Sequence, residues 1–140
     1  MVDQDVVARR LLSLSESLRE LERPEAGDAT ALAGNAVLRA AVERWLQVAI
    51  EACMDVAYHV VASQGWTPPE SARAAFGALA AHGMLPSDLT HRLGSAAALR
   101  NVLVHDYVSI DLERLARIVR DDLGDLRDFA RIASGWVLPA

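Results

Sequence analysis

The spacing of apolar side chains is helical along almost the whole chain, and this pattern constrains the fold more than any other feature. In the first twenty or so residues, Val7, Leu11, Leu14, Leu18 and Leu21 recur at steps of four and three. This spacing places them on one stripe of an α-helix. No segment shows the strict alternation of apolar and polar residues that would indicate a β-strand. The sequence therefore predicts an all-α protein.

Residues that start and stop helices divide the chain into five predicted helices. Pro24 ends the first, Asp28 is a favourable N-cap residue for the second, and Gly65 stops it. The predicted helices span residues 2–23, 28–63, 69–82, 86–104 and 111–134. The second is apolar on most sides, which is typical of a central helix. Short connections favour antiparallel neighbours, so we expect one domain over residues 1–140, a five-helix up-and-down bundle with two long helices.

Composition excludes several classes of function. The formal net charge of −5 argues against a protein that coats nucleic-acid backbone, which would normally be basic, but leaves room for a small phosphate site. The single Cys53 excludes an internal disulfide and a cysteine-based zinc site, and we expect it to be a buried filler. Neither a signal peptide nor a membrane-spanning run is evident, so we predict a cytoplasmic protein with no membrane partner.

One short run, Arg100-Asn101-Val102-Leu103-Val104-His105-Asp106-Tyr107, concentrates most of the chemistry of the chain. Arginine can grip two phosphate oxygens, and histidine exchanges protons near neutral pH. These groups suit cleavage of an RNA phosphodiester, in which a base deprotonates the 2′-hydroxyl and an acid protonates the leaving oxygen. No metal or other cofactor is required, and DNA would be a poor substrate because it lacks the 2′-hydroxyl.

The spacing within this run favours a second copy of the chain. Asn101 and His105 are four residues apart and share a helix face. Arg100 and His105 are separated by about 140° around an ideal helix axis, so they converge only if the helix end unwinds or a twin subunit contributes. A simpler interpretation is that the helix dipole favours Arg100 and His105 at this end, with Tyr107 as a lid on the core.

Two carboxylates on the second predicted helix are further candidates. Glu51 and Asp55 are one helical turn apart and could pair with Arg100 across the bundle or contribute to a cleft. Buried carboxylates that are neutralised by arginine would give the same pattern without any catalytic role.

The run from Arg100 to Tyr107 resembles the signature of the HEPN ribonuclease superfamily, and the chain more narrowly resembles the HepT-like toxins. The likeness also includes Trp45–Ala57 with His59, then Phe76, Leu79–Gly83 and Leu85, and finally Asp111. The resemblance implies a HEPN-type bundle that dimerises around a shared cleft. It also implies a metal-independent endoribonuclease that leaves a 2′,3′-cyclic phosphate.

The resemblance further implies roles and partners. By position, Arg100 would bind phosphate, His105 would act as acid and base, and Asn101 would orient the imidazole or the substrate. The chain would be the toxin of a type VII toxin–antitoxin pair. Its partner would be a minimal nucleotidyltransferase antitoxin of the MntA type, which silences the cleft by transferring AMP to Tyr107.

Two other interpretations stay open at this point. The chain could be a non-catalytic helical partner that only binds a nucleotidyltransferase. Alternatively, the adenylyltransferase could be the toxin and this chain its target.

Overall fold

Helices form nearly all of the protein. The computed structural model describes residues 3–105 and 110–137, with the side chain of His105 left out. Within these residues there are seven α-helices: α1 Gln4–Leu21, α2 Ala29–Ala33, α3 Ala36–Ser63, α4 Ala72–Ala81, α5 Ser87–His105, α6 Leu112–Asp121 and α7 Gly124–Ser134. Short 3₁₀ helices occupy Pro24–Gly27 and Gly135–Val137. The all-α prediction is confirmed.

The predicted second helix is divided in two by Gly34 and Asn35. Asp28 caps α2 as expected, since its side chain accepts hydrogen bonds from the N–H groups of Thr30 and Ala31. A second cap follows, because the Asn35 side chain accepts the N–H of Leu38 at 3.0 Å. A residue in this capping geometry has an extended backbone and cannot also continue a preceding helix.

The predicted fifth helix is also divided. Asp111 caps α6 by accepting the N–H of Glu113 at 2.8 Å, but α6 ends at Asp121 and α7 begins only at Gly124. The number of helices predicted, five, is therefore wrong for the described part of the chain. The apolar stripe continues across each break, so the spacing of apolar residues predicted one helix where there are two.

Helix α3 is the centre of the bundle, as its apolar surface predicted. It packs against α1, α4, α5 and α7, and eleven of its 28 residues are buried. Cys53 is one of them, in agreement with its predicted role as a filler. No helix of the described residues combines the length and the hydropathy that crossing a membrane would require.

Aromatic contacts join several of the helices and their connections. The ring of Phe129 meets Phe76 and Trp136 edge-on, with 5.9 Å between centroids in each case. Trp66, just after α3, stacks on His82 at 3.6 Å. All three tryptophans, Trp45, Trp66 and Trp136, are partly buried and pack against the hydrophobic core.

The N-terminal and C-terminal helices meet across the bundle. Helix α1 packs against α7, while α2 and the first 3₁₀ helix pack against α6. The Arg120 Nη1 donates a hydrogen bond to the Gly27 carbonyl at 3.0 Å. This contact joins residues that are 93 positions apart in the sequence.

Candidate active site

The run that begins at Arg100 reaches the C-terminal end of α5. Arg100 and Asn101 belong to the last turns of this helix, and His105 is its final residue. The predicted modification target Tyr107 lies outside the described residues, as does the side chain of His105. On the far side of this segment, the Arg39 Nη2 donates to the Ile110 carbonyl at 3.5 Å, so Ile110 lies beside the N-terminal part of α3.

Arg100 is held by a carboxylate of the central helix. Its Nε donates to the Glu51 Oε1 at 2.9 Å, and its Nη1 donates to the Asn101 Oδ1 at 3.1 Å. The Gln47 Nε2 donates to the same Glu51 oxygen at 3.1 Å. The side chains of Arg100 and Glu51 are about one quarter exposed, 26% and 28%. This network fixes the guanidinium while leaving part of it open to solvent.

Asp55 takes a different partner. Its carboxylate forms a salt bridge with the Arg10 Nε of α1 at 3.5 Å. Burial raises the pKa of the Asp55 carboxyl above its ordinary value, Arg10 lowers it, and the negative charge of Glu51 raises it. The predicted pairing across the bundle with Arg100 is therefore made by Glu51, and Asp55 acts on Arg100 only through its charge.

Arg92, an arginine earlier on α5, is engaged by acidic side chains. Its Nε donates to Asp125 at 2.7 Å, and its Nη1 lies 3.6 Å from Asp88. These two carboxylates neutralise the charge of Arg92, which therefore adds little positive potential to the site around Arg100.

An open cleft of about 440 Å³ adjoins Arg100 between α3, the start of α4 and α5. Tyr58, Arg73 and Asn101 also line it. Sequence reasoning missed Tyr58 and Arg73, because nothing in their local sequence connects them with the run that begins at Arg100. Among the described residues, no three His, Cys, Asp or Glu side chains form a group that could hold a metal ion.

Comparison with known proteins decides the family. Residues 14–133 match the family model for ribonuclease HepT-like proteins, a stretch that extends from the second half of α1 to the end of α7 and contains the run from Arg100 to Tyr107. The chain belongs to the ribonuclease HepT-like family.

Relatives of this HepT-like chain agree in sequence and in fold. The mRNA nuclease HepT of Shewanella oneidensis is 27% identical over 125 residues, which cover 89% of this chain and 93% of that protein. A solved structure of the tri-AMPylated HEPN toxin of Shewanella oneidensis in complex with its MNT antitoxin superimposes with a TM-score of 0.84. It is 26% identical, and the match covers 94% of this chain and 98% of the toxin.

A more distant relative shares the fold. YutE of Bacillus subtilis, described as a cytosolic protein of unknown function, is 18% identical and superimposes with a TM-score of 0.84. The match covers 97% of this chain and 91% of YutE. At this identity the likeness extends to the fold alone.

Proposed function

We propose that this HepT-like chain is the toxin of a toxin–antitoxin pair and cleaves RNA with Arg100 and His105. The observation that carries the proposal is the placement of Arg100. In a chain that matches a ribonuclease family over residues 14–133, the guanidinium is oriented by Glu51 at 2.9 Å and stays partly exposed. A fixed, accessible guanidinium is suited to binding a phosphodiester.

The proposed reaction is an internal transfer at phosphorus. His105 removes the proton from the ribose 2′-hydroxyl, and the 2′-oxygen attacks the adjacent phosphorus. The bond from phosphorus to the 5′-oxygen breaks, and an imidazolium protonates that oxygen. The products are a 2′,3′-cyclic phosphate and a 5′-hydroxyl. Arg100 stabilises the charge that develops on the phosphate oxygens.

A homodimer supplies the second imidazole. Arg100 and His105 are five residues apart on α5, or about 140° around an ideal helix. If two copies of α5 face each other, the arginine of one protomer meets the histidine of its partner. One histidine can then act as base while the other acts as acid.

The test is incubation of purified protein with total RNA in the presence of EDTA. Wild-type protein cleaves, whereas His105→Ala loses activity by about a hundredfold or more, as expected for removal of an acid–base group. His91→Ala is the matched control, because His91 is an exposed histidine of the same helix. Cleavage by His105→Ala at the rate of His91→Ala would reject the proposal.

Regulation by AMPylation forms the second part of the proposal. An MNT-type antitoxin in the same cytoplasm transfers AMP from ATP to the Tyr107 hydroxyl with release of pyrophosphate. Tyr107 follows Arg100 by seven positions in the sequence, and the negative charge of the added phosphate competes with RNA for the Arg100 guanidinium. Tyr58 is the only other tyrosine, so Tyr58→Phe serves as the control. Mass spectrometry should detect modification in Tyr58→Phe and none in Tyr107→Phe.

A second candidate is a non-catalytic partner of a nucleotidyltransferase. The net charge of −5 and the neutralisation of Arg100 by Glu51 favour it. This candidate predicts AMPylation at Tyr107 without cleavage of RNA by the unmodified chain. The EDTA experiment and the mass measurement, taken together, therefore separate the two functions.

A further inference from the structure

The cleft next to Arg100 contains a second guanidinium that no step of the proposed reaction uses. Arg73 lies in the first turn of α4 and lines the same cleft as Arg100, Asn101 and Tyr58. The cleft is open to solvent, and the polar side chains of Glu70 and Ser71 at the start of α4 also line it. It therefore connects Arg100, the proposed phosphate-binding residue, with the start of α4.

Gly94 of α5 makes room for Arg73. A Cβ atom at Gly94 would lie 2.7 Å from the Arg73 Nη1 and 2.9 Å from its Cζ. The guanidinium therefore rests directly on the α5 backbone, where a side chain would displace it. Glycine destabilises a helix interior relative to alanine. At this position the absence of a side chain has a compensating effect, because it allows Arg73 to approach α5 closely.

Arg73 has no ion-pair partner among the described residues, and Glu70 is the one acidic side chain that these residues place along the same cleft. Arg100 already pairs with Glu51 at 2.9 Å, whereas Arg73 forms no salt bridge with any acidic side chain within residues 3–105 and 110–137. Tyr58 lines the same cleft as these two arginines, and its side chain is 37% exposed. Exposed arginine combined with an exposed aromatic ring is the combination that binds single-stranded nucleic acid.

We propose that this cleft binds the RNA strand next to the cleavage point, with Arg73 on the neighbouring phosphate and Tyr58 stacked on a base. Arg73 and Arg100 both line this cleft, so a single strand that lies in it passes both guanidinium groups. The inference rests on the proposed ribonuclease function and extends it to substrate binding.

The first test measures binding of a labelled single-stranded oligoribonucleotide of mixed sequence to the full chain carrying His105→Ala, so that RNA is not cleaved. Arg73→Ala should weaken binding and reduce the salt dependence of log Kd by about 0.7, the change expected for one lost phosphate contact with a single strand. Arg127→Ala is the matched control, because Arg127 is an exposed arginine of α7 away from the cleft. It removes the same charge and should leave the salt slope unchanged.

The second test displaces Arg73 without removing its charge. Gly94→Ala places a methyl group where the guanidinium lies, and alanine favours the helix. We expect thermal stability to be kept while oligoribonucleotide affinity falls toward that of Arg73→Ala. A purely structural role for Gly94 would change the melting temperature and not the affinity.

The third test concerns the ring of Tyr58. Tyr58→Ala should weaken binding by at least about fivefold, the lower range for loss of one stacked base. Tyr58→Phe keeps the ring and should restore the affinity. Equal losses in both variants would contradict stacking.

These outcomes separate the inference from the function on which it rests. If wild-type protein does not cleave RNA, the proposed function fails. If wild-type protein cleaves RNA but Arg73→Ala and Gly94→Ala bind the oligoribonucleotide as Arg127→Ala does, only the inference fails. Weaker binding of the antitoxin by Arg73→Ala, with RNA affinity unchanged, would assign the cleft to protein recognition instead and overturn the inference.

Discussion

The Arg100 Nε lies 2.9 Å from the Glu51 Oε1, and this contact joins the C-terminal part of α5 to the middle of α3. The same carboxylate has two opposite effects on the proposed reaction. It orients the guanidinium toward its binding position, and its negative charge weakens the attraction of that guanidinium for phosphate. Two substitutions at Glu51 separate these effects.

We expect Glu51→Gln to lower the KM for RNA. The amide oxygen still accepts the hydrogen bond from Arg100, but the competing charge is gone. Loss of a unit charge near the phosphate corresponds to about 1 kcal/mol in a water-like dielectric, or roughly fivefold in KM. Glu51→Ala removes the acceptor as well, and we expect kcat to fall because Arg100 loses its orientation.

Glu43→Gln is the control for this pair of variants. Glu43 also lies on α3 and pairs with Arg39 at 3.3 Å, with comparable exposure of both side chains. Steady-state kinetics on one RNA substrate gives the comparison. Identical KM values for Glu51→Gln and Glu43→Gln would show that Glu51 does not compete with the substrate.

Asp55 gives a prediction about pH and stability. Because burial raises the pKa of its carboxyl in the folded protein, the folded chain binds this proton more tightly than the unfolded chain. The free energy of unfolding therefore falls as pH rises between the ordinary pKa and the folded pKa. We expect wild type to gain stability relative to Asp55→Asn as the solution is acidified through this window.

The Asp55 effect is small, because the side chain is 48% exposed and solvent screens its charge. Urea denaturation of both proteins between neutral pH and pH values near the ordinary pKa measures it. A difference between the two proteins that stays constant with pH would contradict the raised pKa.

The break between α2 and α3 gives a third prediction. Asn35→Ala removes the side-chain acceptor that lies 3.0 Å from the Leu38 N–H, and loss of such a cap typically lowers the free energy of unfolding by about 1 kcal/mol. Asn35→Asp keeps an acceptor and should stay close to wild type. Thermal or urea denaturation provides the measurement. An Asn35→Ala protein with the same free energy of unfolding as wild type would contradict a stabilising role for the cap.

Cys53 gives a fourth prediction. Burial raises the pKa of its thiol above the ordinary value, so the thiol stays protonated near neutral pH and is a poor nucleophile. We expect a thiol reagent to leave the native protein unlabelled and to label it fully in denaturant. Rapid labelling of native protein at neutral pH would show that the side chain is accessible.

The sequence predicted the helical class and most helix boundaries because apolar periodicity is a local signal. The two missed breaks have local signals as well, Gly34-Asn35 in one case and the dipeptide Asp121-Asp122 before Gly124 in the other. The apolar stripe continues through both positions, so periodicity outweighed the capping residues. The sequence contains both signals, the apolar stripe and the capping residues, but it does not show which of the two prevails.

The candidate site was predictable only where its residues share a run. Arg100 and Asn101 were identified because they are adjacent, and Glu51 because a buried carboxylate needs a cation. Arg73 was missed because an arginine in an alanine-rich helix looks like an ordinary solvated residue. Its significance arises from the contact with Gly94, which exists only after α4 has packed on α5.

The contact between Arg120 and Gly27 has a consequence for the order of folding during translation. Helices α1 and α2 are translated before α6 and α7. Helix α1 packs mainly on α3, but α7 also covers part of α1, and α6 covers part of α2. Contacts between such distant segments form late, because the entropy of closing a long loop must be overcome before they stabilise the protein. A nascent chain that lacks α6 and α7 therefore keeps part of its core open to water, and this part of the bundle closes only when these two helices have been made.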